Sequence, residues 1–236
     1  MRGLPPLHGK TCSEWLDNIG LTMMSSSAFP ILQHAHEGFS ASRALEEKLR
    51  LTVRGEVRFD QASRALYATD ASNYRQIPIG VVLPRDGDDV LATISTCREF
   101  GAPLLCRGGG TSLSGQCCNV AVVLDFSKYM SRILEIDPAR RIARVQPGIV
   151  LDRLRSAAEK FHLTFAPDPA SHASCTIGGM IGNNSCGVHS VMAGKTDDNI
   201  EELEVVTYDG VRLKLGQNQI HVAADALVIP QRSAGV

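Results

Sequence analysis

The sequence predicts an α+β fold, a parallel βαβ half followed by a more antiparallel half, on three observations. Two short apolar runs, Gly80-Val81-Val82-Leu83-Pro84 and Pro103-Leu104-Leu105-Cys106, flank a stretch of helical spacing, the order of a parallel crossover unit. A glycine cluster follows the second run directly, where the ligand edge of such a unit lies. Beyond residue 130, short alternating runs joined by turn residues replace the crossover pattern.

Taken in order, residues 1–40 are weakly patterned: Pro5, Pro6, Gly9 and Gly20 interrupt any periodicity, and Ser25-Ser26-Ser27 reads as flexible. Met23 and Met24 precede that serine run, so one of them is a candidate native start, with residues 1–22 as upstream translation; the intact mass of protein made from the native gene checks this. From Ser40, Ala44, Leu45, Leu49 and Val53 recur at helical spacing. Asp86 and Asp88 are N-cap candidates for a helix carrying Val90, Leu91, Ile94 and Cys97 and ending near Gly101. Val120 to Asp125 is a third apolar run. Ile133 to Asp137 and Ile142 to Val145 form a hairpin around Pro138-Ala139-Arg140. Val150, Leu151, Leu154, Ala158 and Phe161 mark an amphipathic helix. A Pro- and Gly-rich stretch runs from Pro167 to Gly194, and Glu201 to Leu215 gives two strands around Asp209-Gly210.

Bulk properties narrow the function. Lys plus Arg (24) balance Asp plus Glu (25), a formal charge of -1, without the basic excess of a nucleic-acid binder. One Trp and four Tyr supply little for base stacking. The seven cysteines (Cys12, Cys97, Cys106, Cys117, Cys118, Cys175, Cys186) are odd in number and irregularly spaced, which fits a reducing compartment. No run of about 18 apolar residues spans a bilayer, and no leader pattern opens the chain. The expectation is a cytoplasmic protein, a peripheral place at the inner face of a membrane staying open.

The most informative segment is Arg107-Gly108-Gly109-Gly110-Thr111-Ser112-Leu113-Ser114-Gly115-Gln116. Its glycines let main chain approach a ligand, and successive N–H groups can hold phosphate oxygens as a nest. Thr111, Ser112 and Ser114 add hydroxyls without bulk. A dinucleotide pyrophosphate suits such a loop; the competing reading is a plain surface loop. The G-x-G-x-x-G fingerprint fails, because position 113 is Leu and the following segment returns to a strand, so a nicotinamide-binding Rossmann fold is disfavoured. Gly194-Lys195-Thr196 resembles the end of a P-loop, but His189 stands where its first glycine is required. A second cluster, Thr176-Ile177-Gly178-Gly179-Met180-Ile181-Gly182-Asn183-Asn184-Ser185-Cys186-Gly187, is poor strand and only fair helix material. Packing against an extended cofactor explains its composition; a tight helix–loop on the sheet is the alternative.

The glycine loop, Pro167-Asp168-Pro169 with Ser171, Thr176-Ile177-Gly178-Gly179, Asn183 to Gly187, and Asp198-Asn199 ahead of Leu203-Glu204-Val205-Val206 occur in that order. Over residues 41–215 this resembles the FAD-binding (PCMH-type) domain of the vanillyl-alcohol oxidase superfamily, nearest the flavin-linked D-2-hydroxy acid dehydrogenases of the D-lactate, glycolate and D-2-hydroxyglutarate type, some fused to an iron–sulfur domain. The resemblance implies two α+β subdomains, 41–130 with the pyrophosphate loop and 131–215, and non-covalent FAD between them, since Thr111-Ser112 stand where some relatives carry a flavin-linking histidine. Carried over by position, Arg107, Gly108, Gly109, Gly110, Thr111, Ser112, Gly115 and Gln116 wrap the pyrophosphate. Pro167, Ser171, Thr176, Gly178, Gly179, Asn183, Ser185 and Gly187 line the ribityl chain and ring, with Asn199 close by. The resemblance also implies that the full-length relative oxidises a small 2-hydroxy acid by hydride transfer to FAD and passes the electrons to an unnamed acceptor or iron–sulfur centre.

The family's further S-E-G-T-L-G-type stretch and its cap domain find no match, and residues 216–236 read as a divergent tail, so the fold is expected to be incomplete at its C-terminus. A non-catalytic FAD- or nucleotide-binding fragment is the alternative function, and an interaction module that has kept the fold is a third. No catalytic residue is assigned. His162, His172, Cys175, Cys186 and His189 lack the paired spacing of a zinc site, so no metal is expected. Cys117 and Cys118 read as small packing residues in preference to a strained vicinal disulfide, Asp70, Asp125 and Asp168 as dispersed carboxylates, and Lys195 as a solvated lysine, the alternative being one that faces a flavin or substrate anion.

Overall fold

The computed structural model describes residues 39–216 and 219–222; the N-terminal extension with Met23 and Met24, and the tail beyond residue 222, lie outside the described residues. Helix α1 (Phe39–Thr52) leads into strand β1 (Glu56–Arg58), a short helix α2 (Gln61–Leu66), strand β2 (Gly80–Leu83), helix α3 (Gly87–Glu99) and strands β3 (Leu104–Arg107) and β4 (Val122–Asp125). These strands form one sheet in the order β1-β2-β4-β3. Strand β4 is parallel to both β2 and β3, and β1 is antiparallel to β2. The crossover unit is therefore present, but β4 separates its two strands.

The sequence explains each piece. Leu45, Leu49 and Val53 fall four residues apart and are buried, while Ala44 is exposed, so the apolar stripe of α1 is narrower than its composition implies. Asp86 caps α3 by accepting from the amides of Asp88 and Asp89. Asp89 itself is buried and accepts the amides of Arg54 and Arg85, tying together the chain before β1 and after β2 at one end of that antiparallel pair. One sheet face, through Val82, Val122 and Leu124, packs on Leu45 and Leu49 of α1 and Val90, Ile94 and Cys97 of α3. The other, through Val81, Leu83 and Val123, packs on Tyr67, Leu105 and Tyr129. Being covered on both faces, β4 is apolar at Val122, Val123 and Leu124 in succession, without alternation. Each such side chain contributes roughly 1.5–3 kcal/mol by leaving water. Val120, grouped with this run from its sequence, lies outside the strand and is 38% exposed.

The second region begins with the hairpin β5 (Ile133–Asp137) and β6 (Ile142–Val145). Asp137 accepts from the amides of Ala139 and Arg140 and so fixes the turn. Helix α4 (Leu151–Ala158) passes into a 3₁₀ turn at Glu159–Phe161, which rotates Phe161 out to 46% exposure. Phe161 thus leaves the apolar face that its spacing predicted, because the helical period changes before it. Helices α5 (Ile177–Asn183) and α6 (Ser190–Ala193) follow, then strands β7 (Glu202–Val206), β8 (Arg212–Gly216) and β9 (Gln219–Val222) in an antiparallel meander. Strand β9 continues the pattern past residue 216, where the sequence was read as a divergent tail. A smaller core of Ile149, Leu151, Leu154, Cys175, Ile177 and Met180 joins α4 to α5. Main-chain bonds from Leu151 to Cys175 and from Ile177 to Ile149 bind the starts of these two helices together.

Candidate functional site

The site is organised around the loop that leaves the carboxyl end of β3. Arg107 closes that strand and donates Nη1 to the carbonyls of Tyr67 (3.3 Å) and Cys117 (2.9 Å) and Nη2 to that of Thr69 (2.8 Å). Its guanidinium also lies over the Tyr67 ring, 5.3 Å from the centroid. Tyr67 in turn donates to Asp125 Oδ2 at 2.5 Å. Burial, reinforced by that bond, holds the Tyr67 phenol protonated well above its ordinary range. Asp70 accepts from Ser72 and from the Cys117 amide. Burial pushes its carboxyl up, but the bonds from Ser72 and Cys117 outweigh this and leave it below the usual carboxylate range. The segment 67–71 therefore backs the loop, and Ala71 adds a main-chain bond to the Gly110 carbonyl.

The loop's own donors are spent unevenly. Ser112 Oγ is buried; it donates to Gln116 Oε1 and accepts from the amides of Ser114 and Gln116, folding residues 112–116 into a turn. By contrast, the amides of Gly108, Gly109, Gly110, Thr111 and Leu113, and the Thr111 hydroxyl, make no hydrogen bond among the described residues, whereas the Ser112 amide is turned to the Cys117 thiol. The base of the loop is set against the second glycine cluster. A Cβ at Gly108 would lie 2.0 Å from Thr176 Oγ1, and one at Gly109 2.1 Å from the Ser174 carbonyl oxygen, so any side chain there would force the segments apart.

Thr176 is the N-cap of α5 and accepts from the Gly179 amide. The Gly178 amide donates to Pro147, and Ile177 and Met180 are also paired, so the start of α5 has no main-chain donor to spare. Thus Gly108, Gly109 and Thr176 are brought into contact, whereas Gly178 serves packing on Pro147. Cys175 and Ser174 both donate main-chain bonds to the Ser171 carbonyl. His172 Nδ1 lies 2.8 Å from Asp152 Oδ2, anchoring the same segment to α4. Further along, Thr196 is buried and donates to the Ser185 carbonyl, and Asn199 donates to the carbonyls of Ala193 and Lys195. Asn199 therefore braces its own loop, and Lys195 is exposed. The Asn183 amide group and Ser185 hydroxyl make no bond among the described residues. Cys117 and Cys118 are free, with burial raising both thiols, and pack as small residues. Tyr67 and the bracing roles of Asp70 and Asp125 have no signature in the sequence beyond the Asx pattern at Asp70-Ala71-Ser72.

A family model described as "FAD binding domain" matches residues 78–216, from just before β2 to the end of β8. The chain belongs to the FAD-binding domain family. Among related sequences, the D-2-hydroxyglutarate dehydrogenase of Pseudomonas putida is 40% identical over 163 residues, covering 68% of this chain and 16% of that protein. Glycolate oxidase subunit GlcD of Bacillus subtilis is 38% identical over 181 residues, covering 74% of this chain and 38% of its own. The chain thus spans well under half the length of these relatives. Alkyldihydroxyacetonephosphate synthase shares the fold at TM-score 0.65 and 21% identity, over 74% of this chain and 38% of that one. So does 6-hydroxy-D-nicotine oxidase of Arthrobacter nicotinovorans, at TM-score 0.64 and 24% identity, over 72% and 37%. These likenesses establish a PCMH-type α+β fold.

The donor set of this FAD-binding domain is chemically suited to its cofactor. A pyrophosphate is acceptor-rich and anionic, and the loop offers the unspent main-chain N–H groups of Gly108, Gly109, Gly110, Thr111 and Leu113 with a guanidinium fixed behind them. No helix among the described residues is long and apolar enough to cross a membrane.

Proposed function

We propose that this chain holds FAD without a covalent bond, its pyrophosphate on the loop from Gly108 to Gly115. The observation that carries this reading is the run of unspent amides from Gly108 to Thr111. Thr111 supplies a free hydroxyl; Ser112 and Gln116 keep the turn, and Arg107 shapes the loop from behind while lending it positive charge. Pro167, Ser171, Thr176, Gly178, Gly179, Asn183, Ser185, Gly187 and Asn199 border the ribityl and ring end, the first region (41–130) serving the phosphates and the second (131–215) the flavin. Non-covalent attachment is favoured because Thr111-Ser112 offer no nucleophilic ring nitrogen. FAD, when bound, supplies hydride acceptance; the chain supplies binding and orientation. For the whole protein we propose oxidation of a D-2-hydroxy acid, on the similarity to the Pseudomonas putida and Bacillus subtilis relatives, with electrons leaving to an acceptor that no residue of this chain identifies. For this chain alone the proposed activity is cofactor capture.

Soaking the purified chain with excess FAD and desalting it tests the reading. We expect retained visible flavin absorbance, release of the flavin on denaturation, and a raised melting temperature; a colourless sample with an unmoved melting point would refute it. Assays of D-2-hydroxyglutarate and D-lactate with an artificial acceptor then separate capture from turnover.

A further inference from the structure

Two of the segments assigned above to the flavin end, 167–171 and 183–187, are separated by residues 172–182, and one side chain ties the first to the turn that closes the second. Asp168 Oδ1 accepts the main-chain N–H of His189 at 3.1 Å, and His189 Nδ1 lies 2.6 Å from Asp168 Oδ2. The same junction is closed at main-chain level: a Cβ at Gly187 would lie 2.1 Å from the Asp168 carbonyl oxygen, so only glycine lets the turn 187–189 sit this close. Ser190 Oγ, accepting the Gly187 amide at 2.9 Å, completes the turn. We propose that Asp168 is a positioning residue that sets the 183–189 segment against the 167–171 segment and thereby fixes the seat of the flavin ring.

This inference rests on the FAD reading and goes beyond it by naming the group that holds the two walls together. Asp168 is suited to the task because its side chain is 14% exposed while that of His189 is 68% exposed, so the carboxylate is the shielded partner. Its carboxyl lies below the ordinary range, chiefly because of the His189 amide, with the imidazole and the Arg155 charge adding to this against a burial cost. An ionised carboxylate only accepts, so Nδ1 carries the proton of the shared bond and Nε2 is turned away from it. Arg155 approaches from α4, donating Nε to the Phe165 carbonyl at 3.2 Å and Nη2 to the Pro167 carbonyl at 3.5 Å, which steadies the same segment. These groups and Glu159 border an open hollow of about 430 Å³. Among the described residues no other titratable side chain lines it. In bonding terms Asp168 makes two contacts of different strength of claim: the amide bond survives any change of the imidazole, and the imidazole bond does not.

The test uses graded variants of the whole chain, reading FAD affinity, the visible absorption and circular dichroism of bound flavin, and the melting point without FAD. Asp168→Ala removes both bonds and is expected to weaken FAD about tenfold or more and to move the flavin bands. Asp168→Asn keeps an acceptor for the amide and His189→Ala keeps the amide itself, so both should fall between wild type and Asp168→Ala. Melting points without FAD should stay close to wild type. Wild-type affinity and superimposable flavin spectra in Asp168→Ala would overturn the proposal. So would a loss of affinity matched by a collapse of the FAD-free melting point in all three variants, since the role would then be general folding. A wild-type chain that captures no flavin would instead refute the cofactor reading, and this inference with it.

Discussion

In the sheet half of the molecule, β2 and β4 bury every residue they contain, Gly80 to Leu83 and Val122 to Asp125. In the later half, no residue of β5, β6 or β7 is buried, and the core is reduced to a small cluster between α4 and α5. The two halves therefore resist deformation by different means. The first rests on apolar burial, which is non-directional and indifferent to pH. The second relies on directional ties: Asp168 to His189, Asp152 to His172, and Thr196 to Ser185. The loop with unspent donors springs from the stiff half and meets the tied half at Ser174–Thr176. A rigid base under backbone donors, facing a wall that polar contacts can adjust, is a sensible division for holding a ligand with a charged end and a planar end.

The contrast can be broken most forcefully at that contact. Gly109→Val places carbon against the Ser174 carbonyl, and relief requires moving main chain. We expect flavin retention after desalting to be abolished; full retention would mean that the loop does not depend on the later half. Next in size is the pair Leu124→Ala and Leu154→Ala, each removing a buried leucine from one of the two cores. Losses of about 2–5 kcal/mol are typical, with Leu124 at the upper end because its surroundings are closed on all sides. Urea unfolding measures both, and a greater loss at Leu154 would reverse the ranking of the halves. Arg107→Lys keeps the charge but cannot reach three carbonyls with one ammonium group. It should weaken FAD about tenfold, measured by fluorescence titration, with a small drop in melting point. The smallest effect concerns acid. Glu56 is held at about 2 by bonds from Lys128, Tyr129 and Arg58, against an ordinary 4.5. A depressed carboxyl stabilises the fold above its unfolded value, and that contribution disappears as pH falls from about 4.5 to about 2. Glu56→Gln should flatten the pH dependence of the melting temperature across that window, lower it modestly at neutral pH, and match wild type once the wild-type carboxyl is protonated.

What the sequence disclosed follows the same division. The buried strands, the α3 cap at Asp86 and the hairpin at residues 138–140 were legible because each is decided by local periodicity or a turn residue. The glycine loop was legible as a place where main chain comes close to something, and the fold shows Gly108 and Gly109 against Thr176 and Ser174; the strand before it, read as buried, is only partly covered. The position of β4 was not legible, since spatial neighbours in a parallel sheet need not be sequence neighbours. Nor was the path of Phe161, because a change from α to 3₁₀ pitch leaves no mark in apolar spacing. The service of Arg107 to three carbonyls was hidden for a related reason: an arginine beside a nest reads as a ligand until its partners are seen. Asp168 and His189 were each noticed singly; only the fold makes them a pair.

The placement of β4 has a consequence for biogenesis. β3 carries the glycine loop but lies at the rim of its sheet, paired on one side alone, and that pairing is with a strand made later. A nascent chain that has emerged only as far as Asn119 holds the whole glycine loop and the 67–71 segment behind it, but not the strand that pairs with β3. The loop gains its strand-borne footing only when Val122 to Asp125 slide between β2 and β3, so on the proposed reading translation past that wedge is the earliest moment at which a flavin could be kept.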